Sequence, residues 1–508
     1  MTPPTLTTIT HPGAAAVAIS LALCGCAVGP NFRSPDAPSD AGSNSYTPTA
    51  LPTQTVQADG PAGAAQQFVF GQEIPAQWWT LFHSETLDQM IRGALQQSPD
   101  MASAQAALRQ ARENYNAESG SLLYPNVSGK LSATRERASA VSSGVPGGSV
   151  FNLFNASVNV SYTLDVFGAS RRTLEGLQAA VDYQRFQVEA TYLSLTANLV
   201  TTAIKEASLR AQLHATLAVL DDQQQQLAVI ENQFALGAIP RSTVLTQRTQ
   251  VAQTLASLPD LEKSLAQTRH QLSVYAGKLP SESGMPEFQL ESLQLPQDLP
   301  VTLPSALVRQ RPDIRAKEES LHQASAQIGV ATANQYPQIT LSGDYGSAAS
   351  RMGDLFSHAA GFWSIAAALA QPIFNGGELS AKRRAAVAAY EQAEAQYRGT
   401  VLTAFQNVAD SLRALDFDAS TLKAQVEVEA VAGEALSLNK RQYALGAISY
   451  LALLDAERSY QKSRIGLVQA QAARYADTAA LFQALGGWWW NRPPLADATP
   501  TATVDTNN

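Results

Sequence analysis

Residues 233–239 read Gln-Phe-Ala-Leu-Gly-Ala-Ile and residues 442–448 read Gln-Tyr-Ala-Leu-Gly-Ala-Ile, six of seven identical at an offset of 209. Three further landmarks recur in the same order. Pro99-Asp100-Met101 returns as Pro312-Asp313-Ile314, and Tyr124-Pro125-Asn126-Val127 as Tyr336-Pro337-Gln338-Ile339, at offsets of 213 and 212. Val166-Phe167 before Gly168 returns as Ile373-Phe374 before Gly376 and Gly377, at an offset of 207. Chance likeness between alanine-rich helices would not keep a Tyr-Pro and a Leu-Gly-Ala-Ile in register. The chain therefore reads as two tandem copies of one unit.

Inside each copy the period changes from helical to two and back. Phe154, Ala156, Val158, Val160, Tyr162, Leu164 and Val166 alternate with polar residues, which predicts a strand over 154–166 with a partner over 127–134. The second copy repeats this with Ile339, Leu341, Gly343 and Tyr345, then Trp363, Ile365, Ala367 and Leu369. Such alternation fits a soluble sandwich or a lipid-facing barrel. Four strands cannot close a barrel, for which about eight is the minimum, so a barrel needs strands from several chains. The flanking helices are very long. Residues 170–234 contain no proline and one interior glycine, Gly176, and at about 1.5 Å per residue they reach roughly 100 Å. Their counterpart spans 379–443. The returning helices, 242–276 and 450–485, are too short to match, and the helices 99–120 and 312–334 supply the missing length if stacked on them end to end.

The 508 residues carry 15% charged and 7% aromatic residues and a net charge of -8, which gives no basic footprint for nucleic acid. The two cysteines, Cys24 and Cys26, leave no disulfide framework. His11, His83, His214, His270, His322 and His358 are scattered without metal or triad spacing, and no phosphate loop or nucleophile elbow appears, so no enzyme is expected. Residues 13–25 are apolar but shorter than the about 20 residues of a membrane-crossing helix. They read as a signal-peptide core. Leu23-Cys24-Gly25-Cys26 resembles the bacterial lipobox, which makes Cys26 the expected lipid anchor, and Ala27 after it favours the outer membrane by resemblance to bacterial sorting rules. An ordinary secretory signal is the alternative. The expected organisation is a signal peptide over 1–25, an extended strap without a core over 26–77, the two repeats over 78–295 and 296–490, and a flexible tail over 491–508.

Val28-Gly29-Pro30-Asn31-Phe32, Trp78-Trp79 with Phe82, Ser98-Pro99-Asp100-Met101, Leu453-Leu454-Asp455-Ala456-Glu457-Arg458 and Ala484-Leu485-Gly486-Gly487 before Trp488 together resemble the TolC-like outer-membrane factors. The resemblance is specifically to the lipidated NodT-type branch and covers nearly the whole mature chain. It implies an α+β membrane protein, a homotrimer whose four strands per chain build a twelve-stranded transmembrane β-barrel, continued by a long α-helical periplasmic barrel. It further implies a passive conduit for small molecules such as drugs or other toxic compounds. The implied partners are outer-membrane lipid, a periplasmic adaptor (membrane fusion) protein and an inner-membrane pump, proton-driven in efflux systems. The only attached group expected is the covalent lipid on Cys26. A duct for type I protein secretion and a lipid-anchored coiled-coil tether without a pore are the alternatives.

Two groups of residues are candidates for mechanism. Gln233, Leu236, Gly237 and Ala238, with Gln442, Leu445, Gly446 and Ala447, sit at the helical reversals farthest along the helices from the strands, where glycine permits the tight turn. Their near identity exceeds what a turn requires, and the resemblance implies that they dock the adaptor. The second group emerges from aligning the copies: Leu451, Asp455 and Arg458 stand where the first copy has Ser242, Thr246 and Thr249. Asp455 and Arg458 share a helical face and are spaced to pair. The resemblance implies a periplasmic gate at this motif; a surface ion pair worth about 0–1 kcal/mol is the bland reading.

Overall fold

The computed structural model describes residues 27–36, 46–72, 75–139, 141, 146, 148–302, 304–487 and 489–491. Cys26, the rest of the signal stretch and the tail beyond 491 lie outside the described residues. In chain order the elements are β1 (Gln67–Phe70), α1 (Glu85–Gln97), α2 (Pro99–Leu123), β2 (Asn126–Ala138), β3 (Ser149–Leu164), α3 (Ala169–Ala235) and α4 (Arg241–Tyr275). Then follow β4 (Asp298–Val301), α5 (Pro304–Gln310), α6 (Pro312–Ala333), β5 (Gln338–Ala349), β6 (Gly361–Ala370), α7 (Glu378–Ala444) and α8 (Tyr450–Ala484). The outgoing helices α3 and α7 are both 67 residues long and the returns α4 and α8 both 35. Among the described residues no helix is long and apolar enough to cross a membrane.

Two compact units can be distinguished. The first comprises Met1–Pro35, Leu108–Gln184 and Lys317–Tyr397. Its centre is an antiparallel sheet in the order β2-β3-β5-β6. The register sets Gly129 against Val158, Val158 against Tyr345 and Tyr345 against Trp363, so the apolar residues of all four strands share one face. That face is bare: Leu131, Tyr345, Trp363, Ile365 and Leu369 are 67–82% exposed. The other face is polar, with Asn159 donating to Asp344 and Ser364 Oγ donating to Asp344 Oδ2 at 3.0 Å.

The strands differ from the expected spans at their ends. β2 runs on to Ala138 because Arg135 and Arg137 still pair with Asn152 and Val150, main-chain bonds continuing where the apolar pattern has stopped. β3 stops at Leu164, two residues early, because Asp165 is taken by the next helix: its carboxylate accepts from the Ser170 and Arg171 amides at 3.0 and 2.9 Å.

The second unit comprises Asp36–Ala107, Arg185–Ala316 and Arg398–Asn508. An aromatic nucleus of Trp78, Trp79, Phe82, Tyr475 and Phe482, each at most 1% exposed, holds it together. The Trp78 and Phe482 rings lie 5.4 Å apart. α4 passes through Pro259 without ending, at the loss of one main-chain donor. Its neighbours Val251 and Leu258 pack into a cluster with Leu220, burial that offsets the loss.

Each return ends on a left-handed glycine that butts against the start of another helix. A Cβ on Gly277 (φ 73) would lie 2.5 Å from the Gln97 carbonyl oxygen, two residues before α2 begins. At Gly486 (φ 91) it would lie 3.3 Å from Cα of Arg311, immediately before α6. Arg311 Nη1 also donates to the Ala484 carbonyl at 2.9 Å, closing the joint with one of the last free carbonyls of α8.

The strap departs most from expectation. Residues 28–67 lack apolar periodicity, yet Thr55 and Gln66 are 1% and 0% exposed. β1 pairs in parallel with β4, Gln67 opposite Asp298 through Phe70 opposite Val301. Beneath lies Arg474, fully buried, whose guanidinium donates to the Ala62 carbonyl (2.9 Å), Gln66 Oε1 (2.8 Å) and Thr55 Oγ1 (3.1 Å). Gln66 Nε2 in turn donates to the Pro296 carbonyl (2.9 Å) and Thr478 Oγ1 (3.1 Å). The strap is thus held by polar groups rather than by an apolar stripe.

Beside this network, burial and then the neighbouring Asp477 push the Asp418 carboxyl up to about 7, against the pull of Arg474. A carboxyl raised in the fold from an unfolded value of about 3.9 favours the folded state below that value, and the contribution is lost as pH rises through about 7. Thermal unfolding followed by circular dichroism should therefore show a midpoint that falls as pH rises from about 4 to about 7, and Asp418→Asn should flatten that limb.

Candidate gate and docking tips

The reversals are built alike in the two copies. At the first, Gly237 takes φ 75 and the Gly237 and Ala238 amides donate to the Phe234 and Gln233 carbonyls, each at 2.9 Å. At the second, Gly446 takes φ 74 and the Gly446 and Ala447 amides donate to Tyr443 and Gln442, again at 2.9 Å. These are helix C-caps that need a left-handed residue. Open space surrounds both glycines, so dihedral preference and not crowding selects them. The turn does not account for Leu236 and Leu445, each 85% exposed. Gln233 and Gln442 are half-buried in the last helical turns, with Ala238 and Ala447 exposed beside the leucines.

Past the second tip, Ser449 caps α8, its side chain accepting from the Ala452 amide. Leu451, Asp455 and Arg458, at positions i, i+4 and i+7, are all exposed and share one face. The expected pairing between Asp455 and Arg458 is not formed among the described residues. Arg458 instead turns to α4, its Nε donating to Gln250 Oε1 at 2.7 Å. One turn of α4 away, Tyr450 Oη donates to Gln247 Oε1, and Gln247 Nε2 donates to the Gln223 carbonyl of α3 at 2.8 Å. Gln247 is fully buried. Burial, with Glu457 and Tyr443 nearby, raises the Tyr450 phenol far above its ordinary value, so it remains a donor at any physiological pH. Two polar ties thus fasten the start of α8 to α4.

Sequence comparison located the charged side of these ties but missed Tyr450, Gln247 and Gln250. The available signal was the same one, since Tyr450 stands where the first copy has Arg241. Cys26 lies outside the described residues. Among those residues no group of three His, Cys, Asp or Glu side chains is placed to hold a metal ion.

The profile of the outer membrane efflux protein family matches this chain twice, over residues 90–278 and 303–487. Among curated relatives, the pyoverdine export outer membrane protein OpmQ of Pseudomonas aeruginosa is 32% identical over 423 residues, 81% of this chain and 87% of that protein. Nodulation protein T of Rhizobium leguminosarum is 29% identical over 505 residues, 97% of each chain. Among solved structures, the outer-membrane channel OprN superposes with a TM-score of 0.80 at 27% identity, covering 91% of this chain and all of that one. The two matched segments, the long helical hairpins and the four-stranded sheet agree: the chain belongs to the outer membrane efflux protein family and is an outer-membrane channel protein.

Proposed function

We propose that the chain is the outer-membrane conduit of a tripartite efflux system, passing small molecules to the exterior. Three copies contribute four strands each to a twelve-stranded barrel, the helices continue it into the periplasm, and a lipid on Cys26 anchors each copy. A periplasmic adaptor grips the tips at Leu236 and Leu445, and an inner-membrane pump, proton-driven, supplies the cargo. The gate is formed by Leu451, Asp455 and Arg458.

The observation that carries this reading is the bare apolar face of a sheet whose outer strands, β2 and β6, are both unpaired edges. In water such a face and such edges are liabilities; in lipid the first is required, and closure with further strands removes the second. The relatives are named for different roles, pyoverdine export in one and nodulation in the other. That divergence suits a passive duct whose cargo is chosen elsewhere.

Purified full-length protein added to planar lipid bilayers should give discrete ion-conducting steps. Absence of conductance from a preparation that native mass spectrometry shows to be trimeric would favour the tether and defeat the conduit.

A further inference from the structure

Val28-Gly29-Pro30-Asn31-Phe32, at the start of the strap, belongs to neither the sheet, the tips nor the gate residues. It is nonetheless docked, against the helix that leaves the sheet, α3, and the helix that enters it, α6. The Val28 amide donates to the Phe167 carbonyl at 3.1 Å. Gly29, at φ 96, lies so close to α6 that a Cβ on it would come 2.6 Å from Cα of Gly329. Buried Arg172 of α3 reaches back to the strap, Nη2 donating to Asn31 Oδ1 at 2.7 Å and Nε to the Val28 carbonyl at 3.4 Å. Ser34 Oγ donates to Glu318 of α6.

Amid these contacts Phe32 lies flat on His322 of α6, the rings 4.3 Å apart and 13° from parallel. Both edges of the imidazole face carboxylates: Nε2 is 3.0 Å from Glu175 Oε1 of α3 and Nδ1 is 3.4 Å from Glu319 Oε2. A neutral imidazole donates from one nitrogen and presents a lone pair at the other. Here that lone pair would be turned on a carboxylate, and only the imidazolium satisfies both sides. The charged groups around it come from all three segments. On α6 these are Glu319 and, one turn earlier on the same face, Glu318; on α3 they are Glu175 and Arg172, whose Nη1 donates to the other oxygen of Glu175 at 2.6 Å. On the strap, exposed Arg33 follows Phe32. The bond to Glu319 does most to raise the histidine above its usual 6.5, burial opposes it, and the bond to Glu175 adds to the rise.

We propose that residues 28–34 form a proton-dependent clasp: the His322 imidazolium, gripped at its edges by Glu175 and Glu319 and covered by Phe32, locks the start of the strap to α3 and α6, and loss of its proton releases it. Such a clasp is separate from conduction and operates whether or not Cys26 carries a lipid. A cation against an aromatic face is attracted to it, whereas a neutral ring only stacks, so one proton alters the face and the edges together. Because the fold raises this histidine, its contribution is complete below about pH 6.5 and is lost as pH rises through the higher folded value. Acid therefore closes the clasp and alkali opens it.

Arg33 supplies the readout, because trypsin cuts after it only when the segment comes away from the helices. The full-length protein in detergent is digested at a series of pH values from about 6 to about 8.5, and cleavage after Arg33 is followed by mass spectrometry. Each rate is divided by that of a synthetic peptide of residues 27–38 at the same pH, which cancels the protease's own pH response. The normalised rate of the native protein should rise at least about threefold across the series. His322→Gln, which cannot carry the charge, should be cut at the fast rate throughout. Glu319→Gln keeps the ring but removes the carboxylate that most favours its proton, so the midpoint of the rise should move to lower pH. A role in packing alone would leave that midpoint where it is. If His322→Gln fails to assemble by native mass spectrometry, the Glu319→Gln midpoint decides. A native rate independent of pH, a native pH response retained by His322→Gln, or an unmoved midpoint in Glu319→Gln would each overturn the clasp.

Discussion

Replacing Asp455 and Arg458 together with alanine should raise single-channel conductance several-fold in planar bilayers and sensitise cells to large antibiotics. Two physical effects act in the same direction. Arg458 Nε holds Gln250 at 2.7 Å, a charge-assisted bond that fastens α8 to α4; such bonds are worth about 1.5–3 kcal/mol each. In a trimer three are lost at once. Asp455 is exposed on the face that also presents Leu451, so in the proposed trimeric gate its removal strips a ring of like charge from the constriction, and cation preference should fall along with closure. Tyr450→Phe removes only the tie to Gln247 and should give a smaller increase, which separates fastening from charge. Unchanged conductance from a properly assembled trimer of the double variant would sink the gate assignment.

Arg474→Ala should destabilise the second unit by about 3–5 kcal/mol, the scale expected when a buried charged donor is removed and its acceptors are left unpaired. Gln66 Oε1 and the Ala62 carbonyl lose their donor, and the vacated volume sits under the pairing of β1 with β4. The loss is measurable by thermal unfolding, and limited proteolysis should show new cleavage within residues 46–72. Arg474→Met keeps the bulk of the stem without the fork and should recover only part of the stability. A methionine variant as stable and as protease-resistant as the native chain would show that packing, not the guanidinium network, holds the strap.

The duplication made much of the fold legible. Leu-Gly-Ala-Ile fixed where the helices reverse, alternation at 154–166 and 363–369 identified strands and their faces, and the shortfall of the returns anticipated the joints at Gly277 and Gly486. The strap was not legible, for a physical reason. Its anchorage depends on Arg474, over 400 residues away in sequence, and on a four-residue parallel pairing, neither of which leaves a periodic trace. The surroundings of the candidate gate residues were half legible. Asp455 and Arg458 stood out as differences between copies, but a spacing of three residues on a helix says only that two side chains are able to meet. Arg458 finds a better partner across the helix pair, and the glutamines that receive it and Tyr450 look in the sequence like any others in a glutamine-rich helix.

Each copy contains one uninterrupted rod of 67 residues and another made of two pieces meeting at a left-handed glycine. Under a bending load the two respond differently. An unbroken ladder of hydrogen bonds spreads curvature along its length, whereas a butt joint, where the ladder is interrupted, takes up most of the deflection. At Gly486, however, the joint is clamped by Arg311 and by the buried Tyr475 and Phe482, so bending falls on the run of α8 between that nucleus and the tip. On the proposed reading of tips and gate, a docking partner need not stretch the helix to act on the constriction. In the proposed assembly, torque applied at Leu445 would reach first the two polar ties at the start of α8.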